Sequence, residues 1–148
     1  MPRRDWRERA PLLAMRAGCV VGAVGMVAGQ AAGGATPGQV VFTGVLALAF
    51  VAVILGVVRG TENRLARTGI ARVPSRQPWG MIGIGLWFLS IMMWLMAIFG
   101  VVLVVQRPGL PQHVWNVVAY VGAAVCCTGA AALIARMRRE FDQQYSTR

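Results

Sequence analysis

Cys126 and Cys127 are adjacent near the middle of the last apolar run, and His113 and Asn116 stand one turn apart near its start. Trp87 and Trp94 lie seven apart in the run before it. These are the residue types that could do chemistry. Neighbours on a helix diverge by about 100°, so vicinal cysteines suit neither a disulfide nor a shared metal ion. They read as small packing residues. With Cys19 the cysteines are an odd number, all inside apolar runs, which argues against a disulfide framework. His113 is the only histidine, so the chain cannot form a bis-histidine haem site by itself. In "HVWNVVAY", His113 and Asn116 could face a partner or a quinone-sized ligand, while Trp115 and Tyr120 suit a headgroup boundary. Trp87 and Trp94, with Phe88, Met93 and Met96 nearby, read as bulky filling rather than a cofactor lining. "GMIGIG", residues 80–85, follows a polar segment instead of a strand, so it is no phosphate loop.

The acids are as informative by their placement. All five, Asp5, Glu8, Glu62, Glu140 and Asp142, lie outside the apolar runs. No paired carboxylates serve acid–base work, and no midplane charge serves proton or cation coupling, which transporters commonly need. The expectation is a chain with no catalytic residue, no cofactor, no metal and no small-molecule substrate: not an enzyme.

The elements that would position such residues are membrane helices. The chain has 148 residues, 57% of them apolar, and a mean hydropathy of +0.59. That exceeds the 45–50% of a soluble domain, and the excess is gathered into runs separated by charge. The first run covers about 12–35, broken by "ATPGQ" with Pro37 and Gly38. The second covers 39–58, and a polar cytoplasmic loop fills 59–78. The third covers 79–105, and the two-proline turn "QRPGLPQ" follows. The fourth covers 113–135, before a basic tail at 136–148. The reading is all-α: a polytopic four-transmembrane-helix bundle forming a single domain, in contact with the lipid bilayer.

The net charge is +10, and all 15 basic residues are arginine, a bias that suits a GC-rich bacterial genome. Their position at run ends speaks for orientation rather than nucleic-acid binding. With a cytoplasmic N-terminus, Arg107 is the only arginine placed outside. Both termini are therefore expected in the cytoplasm of a bacterial plasma membrane. The first run also has the outline of a signal peptide, with small residues "GQAAGGA" at its end. A lipoprotein site at Cys19 is opposed by Arg16, which occupies an aliphatic position of that motif.

What a signal peptide does not need is an ordered stripe of glycine. Gly18, Gly22, Gly25, Gly29 and Gly33 advance by four, three, four and four residues. In lipid, helices associate by close backbone approach, and small residues at this spacing clear one face for it. Gly122, Cys126 and Gly129 in the fourth run, with Ala119, Ala123 and Ala130 beside them, offer a counterpart, and Ala52–Gly56 is a shorter version in the second. These are the candidate helix-packing residues. They could serve the fold itself or another subunit. The function expected is a small non-catalytic membrane protein, an accessory or structural subunit associated with other membrane subunits or with copies of itself. A holin-like pore former ranks second and a small transporter third.

Overall fold

The computed structural model describes residues 6–68 and 76–146, and the side chains of 10–60 and 81–139. Trp6, Gly80 and the arginines before residue 10 and between 61 and 80 lie outside the described side chains. Four helices make up the described chain: α1 (Trp6–Ala32), α2 (Pro37–Thr68), α3 (Arg76–Gln106) and α4 (Pro111–Ser146). Each contains a stretch long and apolar enough to cross a bilayer: Ala10–Ala32, Pro37–Gly60, Met81–Gln106 and Pro111–Arg139. The chain is an all-α, multi-pass membrane protein.

The helix ends differ from the sequence reading in ways the local chemistry explains. Pro37 does not break a helix; it opens one. The break comes earlier, at Gly34, whose φ of +77° is the left-handed conformation that glycine adopts without a Cβ penalty. Gly34 N–H donates to the Ala31 carbonyl and Ala35 N–H to the Gln30 carbonyl (3.4 and 3.2 Å), the paired bonds of a Schellman cap. Thr36 then caps α2. Its Oγ1 accepts from the Gln39 N–H (3.4 Å), while the Gln39 side-chain oxygen accepts from the Thr36 N–H (3.0 Å). Pro37 fits the first helical position, where no N–H is needed. Pro111 opens α4 in the same way, after a four-residue turn.

At the opposite end the helices outrun the apolar sequence. α2 continues ten residues past Val58 into the expected loop, and α4 runs through most of the tail. No proline interrupts either extension, and Glu, Arg, Leu, Ala, Met and Gln are good helix formers. Polarity marks where a helix leaves the hydrocarbon; it does not end the helix.

The packing is an open series. α1 and α4 form the central antiparallel pair. α3 packs on α4 and α2 on α1. Among the described residues, no Cα of α2 comes within 8 Å of one in α3 or α4. At the end carrying the termini, Leu12 and Met15 of α1, Val58 and Ile54 of α2, and Ala130 and Leu133 of α4 close into one apolar cluster.

Candidate functional site

The α1–α4 seam is built from the glycine stripe. A Cβ at Gly18 would lie 2.5 Å from the Cys126 nitrogen and 2.6 Å from the Gly122 carbonyl oxygen. One at Gly25 would meet the backbone nitrogen of Ala119, with the Trp115 carbonyl oxygen 3.0 Å away. One at Gly122 would meet the backbone of Gly22, and one at Gly129 would sit 2.8 Å from the Pro11 carbonyl oxygen. Contacts this short with backbone leave no room for a side chain. Gly29 and Gly33 face side chains instead: Asn116 Oδ1 at 2.9 Å and Gln112 Oε1 at 2.8 Å from the added carbon. All five stripe glycines, four in α1 and Gly33 just past its end, thus face α4 within this chain, from Gly18 at the cysteine level to Gly33 at the turns.

The short motif of α2 is placed otherwise. Nothing lies within 4 Å of a Cβ built at Gly56, and Ala52 and Gly56 are both exposed. Gly60, one further turn along, is likewise open.

Cys19 and Cys126 are buried at the seam, and Cys127 is half-buried. All three thiols are free. They border an apolar groove of about 600 Å³ between Leu46–Val53 of α2 and the α1–α4 seam. Among the described residues, no cluster of His, Cys, Asp and Glu could hold a metal ion. Trp87 and Phe88 point outward, while Trp94 covers the far side of the seam beside Pro11, Ala14 and Gly129. Gly83 of α3 faces Ile134 Cγ2 at 3.4 Å, and no neighbour lies within 4 Å of a Cβ at Gly85.

No protein-family model, curated protein or solved structure matches this chain. Its function has to be read from its own geometry.

Two features escape a reading of the sequence. The first is a hydroxyl pair in the apolar middle of α3 and α4. Ser90 Oγ and Thr128 Oγ1 lie 2.6 Å apart, and Thr128 donates to the Ala124 carbonyl at 2.7 Å. Thr128 has one proton and gives it to Ala124, so Ser90 is the donor between the two. Single hydroxyls in apolar runs carry the only signal for such a pair, and nothing in one helix says which hydroxyl of another it meets.

The second is a cavity of about 610 Å³ at the end carrying the two short turns. Gln112, Asn116 and Tyr120, at successive i+4 positions on one face of α4, line it together with Gln30 of α1 and Gln39 of α2. Met26, Met93, Ala119 and Ala123, further along the helices from the turns, supply its apolar lining. Asn116 is therefore grouped with Gln112 and Tyr120 rather than with His113, which is not among the lining residues. The carboxamides come from three helices, so their convergence has no spacing to announce it.

Proposed function

We propose that this chain is a non-catalytic accessory subunit of a bacterial plasma-membrane complex, with both termini in the cytoplasm, and that it recruits its partner through α2. The placement of small residues carries this reading. The stripe of α1 is occupied by α4, whereas Ala52, Gly56 and Gly60, at i+4 spacing on α2, face away from the other described residues. Small residues at that spacing are what lets a second membrane helix come close. Among the described residues α1 is the one helix whose backbone comes within 8 Å of α2, and Ile54 and Val58 reach the α4 side chains only at the end carrying the termini, which leaves most of the circumference of α2 for a partner or for lipid.

Charge supports the orientation. The termini and the 59–78 segment carry 14 of the 15 arginines, at positions 3, 4, 7, 9, 16, 59, 64, 67, 72, 76, 136, 138, 139 and 148, leaving Arg107 at the turns.

The test is Gly56→Leu, with isolation of the protein from its native membrane in mild detergent. The partner, or a second copy, should be lost while the melting temperature of the isolated chain stays within about 2 °C of wild type, since Gly56 touches nothing. Retention of the same co-isolated subunit would refute the role of α2. Dye release from vesicles by the purified chain would favour a pore former instead.

A further inference from the structure

We infer that the cavity at the turn end binds an uncharged amphiphile, one whose head offers carbonyl or hydroxyl oxygens and whose body is apolar. Three observations carry this, independently of the role assigned to α2. The first is unused hydrogen-bonding capacity. Among the described residues, the side chains of Gln30, Gln112, Asn116 and Tyr120 make no hydrogen bond to another protein group. Gln39 engages only its oxygen, on the Thr36 N–H, and keeps its amide protons. Gln30, Gln39 and Asn116 are exposed and Gln112 and Tyr120 half-buried, so all are open to water, and a ligand that displaces that water must replace its bonds.

The second observation is the sign of the lining. None of the thirteen lining residues is Asp, Glu, Arg, Lys or His. Carboxamides both donate and accept, and without a fixed charge they favour a neutral head over a phosphate or carboxylate, whose desolvation would go uncompensated.

The third is the gradient along α4. Gln112 lies beside the turn, Asn116 one turn deeper, Tyr120 deeper again, then Ala123. That descent covers about 16 Å along the helix, roughly half of the hydrocarbon thickness. A polar rim above an apolar floor fits a molecule that lies in the membrane with its head at the boundary. The volume falls within the range of small-molecule sites, about 300–1,000 Å³. A quinone and a diacylglycerol share this chemistry.

The experiment uses the full chain in nanodiscs and isothermal titration calorimetry. The probes are decylubiquinone, dioctanoylglycerol and, as the charged counterpart, decyl sulfate. At least one neutral probe should bind saturably, and whichever does names the head: a quinone ring or a glycerol ester. Decyl sulfate should not compete with it. Gln112→Leu combined with Asn116→Leu should weaken the neutral probe about tenfold or more, from the loss of two hydrogen bonds. Tyr120→Phe removes a single oxygen and should weaken it by a few fold, which keeps the test open if the double variant does not fold. Absence of saturable binding by both neutral probes would overturn the inference. So would equal competition by decyl sulfate, or unchanged affinity in a folded variant.

Discussion

Ser90 of α3, only 2% exposed, donates to Thr128 of α4 across 2.6 Å, and Thr128 in turn donates to the carbonyl one turn back on its own helix. The two hydroxyls are not equivalent. Removing Ser90 leaves Thr128 still bonded to Ala124, whereas removing the Thr128 hydroxyl leaves Ser90 buried without its acceptor. Interhelical hydrogen bonds in membranes contribute about 0.6 kcal/mol on average, rising to about 1.7. Ser90→Ala is therefore expected to destabilise by about 0.5 kcal/mol and Thr128→Val by more, about 1–2 kcal/mol. Detergent unfolding of the two variants and of the double variant measures both. A larger loss for Ser90→Ala would contradict the donor assignment.

Glycine has opposite value at two places in the same fold. At Gly25 an added methyl meets the backbone of Ala119 and Trp115, so Gly25→Ala must push α1 from α4 and Gly25→Leu must push further. A loss of about 1–2 kcal/mol or more is expected for Gly25→Leu, and little for Val24→Leu, since Val24 is 54% exposed. At Gly44 nothing lies within 4 Å, and Gly44→Ala should raise stability by about 0.5–1 kcal/mol through helix propensity alone. Melting temperatures in one detergent decide this, and equal behaviour at 25 and 44 would mean that the seam is not a close backbone contact.

The first helix is expected to remain in the mature protein. α1 is the central partner of the series; without it α2 loses the one helix whose backbone comes within 8 Å of its own among the described residues. The intact mass of the isolated protein should include the residues before Ala35. A mature N-terminus between residues 29 and 36 would identify the segment as a signal peptide.

The orientation is open to cysteine labelling in a background where Cys19, Cys126 and Cys127 are replaced. An impermeant reagent added to whole cells should reach a cysteine at Gln39 and not one at Thr68 or Ser146. External labelling at Thr68 would reverse the topology.

The sequence by itself determined that four helices are long and apolar enough to span a membrane, because hydrocarbon forces every backbone polar group to pair within its own helix. It also located both short turns, through Pro37, Pro108 and Pro111, whose φ restraints and missing donors need no partner, but it assigned the break to Pro37 and Gly38 where Gly34 makes it. Helix ends were less legible. Val58 ends the apolar run, yet α2 continues to Thr68, because polarity and helicity are separate properties of the same residues. Pairing was decided by tertiary structure alone. A glycine at 18 and a glycine at 56 look alike in one dimension, and only the arrangement of helices gives the first a backbone neighbour and the second none. The same holds for the cavity. Gln30, Gln39, Gln112 and Asn116 come from three helices and share no motif, and they form one lining because the α1–α2 turn lies over the start of α4.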